Sequence, residues 1–216
     1  MIELVNVKKS FVDFKLKNIF IAPKQRTILS NISIKIENNK AYILQGKNGS
    51  GKTTLLKLIA GLLKPDDGTI ETDKDYISSY VSTSERSFFW RLTVLENLTF
   101  FNNLNKNENV QKEMIYEHLN KYGLSKYSNI EFMKLSSGQK RKVSIIRALL
   151  KDPDLYLFDE VSNSLDKESK EDLMQFVNEA LIINQKKTII WATHDSQEEK
   201  IINGEIIKIN KGFIQQ

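Results

Sequence analysis

Apolar and polar residues alternate in MIELVNV (residues 1–7) and again in ILSNISIKIEN (28–38), a two-residue period that predicts two strands, each with one buried face. Between them the stretch from Val12 to Arg26 is basic and polar and contains Pro23, which reads as a long hairpin or loop. AYILQ (41–45) is a nearly continuous apolar run, the pattern of a strand covered on both faces. It leads into a glycine-rich turn and then KTTLLKLIAGLL (52–63), where Leu55, Leu58, Ile59 and Leu62 recur at helical spacing. Gly61 weakens that helix, and Pro65 with the following Asp66, Asp67 and Gly68 is expected to stop it.

From Ser84 to Leu150 the period is mainly helical, clearest in VQKEMIYEHLNKYGL (110–124) with Gly123 as its stop, and this predicts a helical subdomain over about 84–150 inserted in a core of about 1–83 and 151–216. After Pro153 strands return in LYLFD (155–159) and TIIWAT (188–193), with an amphipathic helix from about Lys167 to Ile183 between them. The tail GEIIKINKGFIQQ reads as a hairpin turning at Asn210-Lys211-Gly212. Strand, helix, strand implies parallel pairing with crossovers, so the fold class is α/β.

Composition narrows the setting. The 216 residues suffice for one sizeable core, and 40% apolar with 27% charged residues is globular usage. No apolar run approaches the roughly 18 residues of a membrane helix, and MIELVNVKKSF lacks the apolar centre of a secretory leader. With no cysteine there is no disulfide or thiolate metal site, and the expected location is the cytoplasm. The net charge of +5 comes from lysines scattered among Asn, Asp and Glu rather than a basic stripe with aromatics, so no nucleic-acid partner is expected.

GKNGSGKT, Gly46 to Thr53, fits Gly-x-x-x-x-Gly-Lys-Ser/Thr between a strand and a helix, the pattern of a phosphate loop. Its glycines let the backbone turn several N–H groups inward toward an anion at a helix N-terminus. Lys52 would reach the β- and γ-phosphates, and the Thr53 hydroxyl would bind Mg2+. LYLFDE ends an apolar strand with Asp159, suited to Mg2+, and Glu160, suited to polarising an attacking water. His194, just past TIIWAT, is placed to contact a γ-phosphate. Ser136, Ser137 and Gly138 open a basic helix and offer a second anion site, although on local physics alone Ser136 with Gln139 serves equally well as a plain helix cap.

In this order the motifs resemble those of the ATP-binding subunit of ABC transporters, over essentially the whole chain. GKNGSGKT looks like Walker A, LSSGQ (135–139) like the family signature, LYLFDE like Walker B, SLD (164–166) like the D-loop, and ATHD (192–195) like the switch-histidine region. The resemblance implies a phosphate-loop NTPase core with a RecA-like mixed sheet, N-terminal antiparallel strands and the helical subdomain. It also implies a head-to-tail dimer, of two copies or with a sister ATPase subunit, holding two ATP at the interface. ATP would be held by Gly46, Lys47, Asn48, Gly49, Ser50, Gly51, Lys52, Thr53 and Thr54 of one chain and by Ser136, Ser137, Gly138 and Gln139 of the other, with Asp166 linking the sites. Glu160, His194 and Lys52 would carry catalysis, and Thr53, Asp159 and, weakly, Ser84 would hold Mg2+.

Ser84 stands where the family normally has a glutamine, nine residues before Thr93. A bridging water, substitution by Glu85 and a weaker metal contact stay open, with the water preferred. Ser137 replaces a usual glycine, and Val161 a common proline. Phe11 is the expected adenine-stacking residue, with Phe14 and Phe20 as alternatives. Phe88 to Leu92, FFWRL, sits where the family docks a membrane-spanning permease subunit, or else is local core, and its surroundings resemble ABC-2-type exporters more than importers. The implied function is ATP-powered transport through separate membrane subunits from the cytoplasmic face of the cell membrane. A soluble ABC ATPase of an assembly or repair complex is the alternative.

Overall fold

A computed structural model describes residues 1–13, 24–72, 76–104, 112–182 and 187–215. In chain order its elements are β1 (Ile2–Asp13), β2 (Lys24–Ile36), β3 (Ala41–Gln45), α1 (Lys52–Ile59), β4 (Asp67–Thr72), β5 (Ser78–Ser82), α2 (Val94–Leu104), α3 (Lys112–Lys121), α4 (Ser137–Leu150), β6 (Leu155–Asp159), α5 (Lys167–Val177), β7 (Thr188–Thr193), α6 (Ser196–Ile202), β8 (Glu205–Asn210) and β9 (Phe213–Gln215). The chain divides into two compact units, residues 1–76 with 188–216 and residues 77–187.

In the first unit β1 lies between β2 and β4 in an antiparallel sheet. The alternation in MIELVNV is interrupted, because register shifts after Leu4 and again after Val7 accompany a left-handed Asn6 (φ 53°). The inward set becomes Ile2, Leu4, Val7 and Ser10, as expected of bulges that re-aim a strand. The ladder also runs on to Asp13 opposite Lys24, so both flanks of the expected loop are strand; residues 14–23, with Phe14 and Phe20, lie outside the described residues. Polar pairs hold this extension: the Ser10 hydroxyl donates to Thr27 Oγ1 (3.2 Å) and the Ser10 amide to Asp66 Oδ2 (2.6 Å), while Lys9 pairs with the same carboxylate.

The same unit contains strands in the order β7-β3-β8-β9, with β3 parallel to β7 and β8, and β9 antiparallel to β8. All of β7 is buried, and the Trp191 indole donates to buried Glu198 Oε2 at 2.8 Å, which satisfies a polar atom in the core. Helix α1 corrects one expectation: it ends at Ile59, before Gly61, rather than running to Pro65. Gly61 is left-handed (φ 70°), its amide donates to Leu58 O and that of Leu62 to Lys57 O, a Schellman closure, and Leu62 is 59% exposed instead of packed. The tail hairpin turns as expected at Lys211-Gly212. The Gly212 amide donates to Ser50 O and its carbonyl accepts from Ser30 N, fastening the glycine-rich loop after β3 to β2.

In the second unit β5 and β6 pair in parallel, and β6 is buried throughout. Phe88 stacks on Phe132 at 4.3 Å and meets Phe101 edge-on at 5.6 Å. The Arg147 guanidinium of α4 lies 4.2 Å from the Phe88 centroid and donates to Ser87 Oγ, with burial lowering its pKa to about 10. Gly123 (φ 70°) closes α3 through Leu124 N to Leu119 O, as its position implies. After α5 a π turn continues over Asn178–Ile182.

A Cβ on Gly212 would stand 2.2 Å from Ile28 O, at a φ of +82°. Gly212→Ala is therefore expected to cost about 2–4 kcal/mol, seen as a lower urea midpoint, because neither the backbone contact nor the dihedral can relax cheaply.

Candidate active site

The loop from β3 to α1 is shaped by its glycines. Gly51 is left-handed (φ 112°), and a Cβ there would stand 2.6 Å from Leu29; a Cβ on Gly46 would stand 2.4 Å from Ile209 O. Gly51 also occupies the N-cap of α1 and provides no side-chain cap, so the helix start faces the loop with its backbone donors. Lys52 is 3% exposed and its Nζ donates to the carbonyls of Gly46 (2.6 Å) and Lys47 (3.3 Å). Ser50 Oγ is buried without a hydrogen-bond partner among the described residues. A loop holding a buried ammonium and an unsatisfied hydroxyl fits a polyanion that would take up both.

Above this loop is an open cleft of about 610 Å³ lined by Gly46 to Ser50, by Gln45 and His194, and by Lys208, Asn210, Lys211 and Gln215 of the tail hairpin. His194 and the phosphate loop thus share one cavity. Thr53 is exposed and Thr54 half-buried on the first turn of α1. The tail lysines were not identified from sequence; only a terminal hairpin was legible, and nothing in its period indicated which loop it would flank. Phe11 is 41% exposed with Lys9 Nζ 5.7 Å above its ring, but it is not among the residues lining this cleft.

The acidic pair lies in the second unit. Asp159 ends β6 at 7% exposure, and the Tyr80 hydroxyl of β5 donates to its Oδ2 at 2.6 Å. Burial first, and then this carboxylate, push the Tyr80 phenol well above its ordinary pKa, so it remains a donor. Glu160 has a left-handed backbone (φ 51°), and Asn163 Nδ2 donates to its Oε2 at 2.6 Å. Neither Tyr80 nor Asn163 carries a motif signal: the sequence pattern predicts no element over residues 78–82, and Asn163 lies just before the SLD motif.

At the start of α4 the cap is complete: Ser136 Oγ accepts from Gln139 N (3.2 Å) and Gln139 Oε1 accepts from Ser136 N (3.0 Å). Ser136 and Ser137 are exposed and Gly138 is buried. A Cβ on Gly138 would stand 3.4 Å from Ser169 Cβ, an ordinary contact, so the fold itself leaves room for a methyl here. Ser169 in turn gives its amide and hydroxyl to Asp166, both at 2.9 Å, which brings the start of α4 beside that of α5.

Ser84 is exposed, and its amide donates to Ser82 Oγ at 3.3 Å. The Glu85 carboxylate is held by Lys140 (3.3 Å) and Arg141 (3.4 Å), and Arg141 also donates to Thr83 O. The 83–85 loop is therefore tied to α4. FFWRL divides in two: Phe88 is core at 4% exposure, whereas Phe89 and Trp90 are 46% and 49% exposed, Trp90 lying under Lys140 Nζ at 4.8 Å.

The Ser169 amide and then its hydroxyl hold the Asp166 carboxyl below the usual aspartate range. A depressed folded value contributes stability above about pH 3.9 that is lost as pH falls through the folded pKa. Asp166→Ala should lower the urea midpoint at pH 7, and the gap to the parent should narrow as pH falls below about 3.9, in a two-pH denaturation series.

The chain is similar to known proteins in sequence and in fold. The family described as ABC transporter matches residues 29–163. The chain is 32% identical over 225 residues to the spermidine/putrescine import ATP-binding protein PotA of Acetivibrio thermocellus, covering all of this chain and 60% of that protein. It is 30% identical over 225 residues to the ABC transporter ATP-binding protein NatA of Bacillus subtilis, covering 99% of this chain and 87% of that one. Its fold matches the dimeric ATP-binding cassette MJ0796 bound to ADP and Pi with a TM-score of 0.80 at 25% identity, over 100% of this chain and 97% of the other. The phosphate loop, the acidic strand end and these likenesses together assign the chain to the ABC transporter family.

Proposed function

We propose that the chain binds ATP with Mg2+, closes head to tail with a second copy or a sister subunit around two nucleotides, and hydrolyses them to drive separate membrane-spanning subunits. The observation that carries this reading is the phosphate loop, whose residues 46–50 line one cleft with His194 and whose Ser50 hydroxyl is unsatisfied, while the Lys52 ammonium is buried against the loop carbonyls of Gly46 and Lys47. In this reading the two compact units form one ABC ATPase domain, bound at the cytoplasmic face of the membrane, and the helical part, about 84–150, meets the permease. Among the described residues no helix is long and apolar enough to cross a membrane.

Residues 46–54 would hold the triphosphate, and Ser136 to Gln139 of the other subunit would close on the γ-phosphate. Phe11 would stack on adenine, and Asp166 would link the two sites. Glu160 would take a proton from water as its oxygen bonds to the γ-phosphorus and the bond to the bridging oxygen breaks, giving ADP and inorganic phosphate. His194 and Lys52 would stabilise the charge on the transferring group.

The Thr53 hydroxyl and Asp159 carboxylate, with Ser84 through a water, are the oxygen donors that would hold Mg2+. An ion held by so few protein oxygens would keep water and phosphate among its ligands, as Mg2+ does. Bound there, it would neutralise charge on the β- and γ-phosphates.

The exposed aromatic surface at Phe89 and Trp90 is the proposed permease contact. Export is the direction we propose from the resemblance around Ser84 to Thr93; PotA is an import protein by name, so direction is the first property to measure in vesicles.

Glu160→Gln should lower ATP turnover by at least about 100-fold and make ATP-bound dimers accumulate on size exclusion, as removal of a general base requires. Retained turnover would remove Glu160 from that role. Detergent extracts of native membranes should yield this chain with a multi-span protein, and Phe89→Ala with Trp90→Ala should lose it. Recovery with soluble proteins alone would favour an assembly or repair ATPase.

A further inference from the structure

Glu160 is held in place in an unusual way. Its backbone is left-handed at φ 51°, a conformation that a glutamate adopts only when its surroundings impose it. What imposes it is the turn that follows. Val161 is fully buried and Ser162 is 5% exposed, so the chain dives into the core immediately after the glutamate. It then returns, and the Asn163 amide closes the turn on Glu160 O at 2.9 Å.

The Asn163 side chain adds a second link, from Nδ2 to Glu160 Oε2 at 2.6 Å. An ionised carboxylate only accepts, so the atom facing it must be the amide nitrogen. A hydrogen bond to a charged acceptor is about twice as strong as a neutral one, and it fixes the rotation of the carboxylate plane. With Oε2 anchored, the direction in which Oε1 points is set as well.

We propose that Asn163 is the positioning residue of the general base, holding Glu160 Oε2 so that Oε1 is aimed at the attacking water; this rests on the reading of Glu160 as base. The residue type suits the task. An amide donates without titrating near neutral pH, so it can orient the carboxylate without competing for the proton that the carboxylate must take up. Aspartate has the same size and no donor, and would set a second negative charge against the first. The placement also has a consequence. Asn163 lies midway between Glu160 and Asp166, in a turn that contains a second left-handed residue, Ser164 at φ 64°. The same turn thus carries both the anchor of the Glu160 carboxylate and, at its far end, the N-cap of α5.

The test is steady-state ATP hydrolysis by the purified chain carrying Asn163→Ala, Asn163→Asp or Asn163→Gln, beside Glu160→Gln, with ATP affinity and thermal midpoint measured for each. The Ala and Asp variants should lose roughly 10- to 100-fold in kcat, the cost of a misaimed group, with KM for ATP within about 2-fold and the ATP-bound dimer still formed. Gln, which keeps the donor, should recover part of the loss. A merely structural role would lower the thermal midpoint and leave the isosteric Asp variant no worse than Ala in stability, without splitting kcat from KM. Unchanged kcat in the Ala and Asp variants, with Glu160→Gln inactive, would overturn the inference alone. Turnover surviving in Glu160→Gln would overturn the base reading on which it rests.

Discussion

The first unit depends on keeping an ammonium out of water. Lys52 is 3% exposed, and removing such a charge from solvent is costly unless polar atoms replace its hydration shell. The carbonyls of Gly46 and Lys47 do this, and they can turn toward Nζ only because the loop bends through glycines at positions where a Cβ would meet Ile209 or Leu29. The loop must then be braced from outside, and the tail hairpin braces it: the Gly212 amide holds Ser50 O, and its carbonyl holds β2. Strand β2, the loop and the last strands of the chain are thus one mechanical piece, built around a lysine whose carbonyl partners an incoming phosphate would replace.

The second unit is organised by α4. Its first turn carries the Ser136–Gln139 cap and packs Gly138 against Ser169, whose amide donates to Asp166, the cap of α5. One turn on, Lys140 and Arg141 grip Glu85; two turns further, Arg147 lies on Phe88 and Phe101. The Glu85 pair is largely shielded from water, and truncating one partner would leave the others' charge poorly compensated, so the connection is firm rather than incidental. Along this one helix the Ser136 cap, the grip on Glu85 and the Lys140 contact with Trp90 fall in the first turns, and the packing on the Phe88 core falls near the other end.

Much of this was legible because the signals are local. The phosphate loop, the acidic strand end and the helix starts each need particular residues at short spacing, and Gly123 and the turn at Lys211-Gly212 announce themselves by a required backbone conformation. The errors also have local causes. Leu62 kept the helical period past Gly61, but a glycine placed for a Schellman closure outweighs one apolar residue. The bulges at Asn6 moved the inward face of β1 to Val7 and Ser10, and the continuation of β1 and β2 rests on hydroxyls and Asp66, which an apolar pattern does not register. Tyr80, Asn163 and the tail lysines escaped for a different reason: their roles arise from residues brought together across the sheet or around a turn, and no spacing along the chain encodes that.

In the proposed dimer each nucleotide is enclosed by the phosphate loop of one chain and the Ser136–Gln139 turn of another. The chain contains no cysteine, so single cysteines can report on this without background. Asn48→Cys and Ser137→Cys chains, both carrying Glu160→Gln, would be mixed and treated with a short bis-maleimide, with and without ATP and Mg2+. A cross-linked dimer that forms only in the mixture and only with nucleotide is the result this account requires. A link that ignores nucleotide, or none at all while ATP still binds, would contradict it.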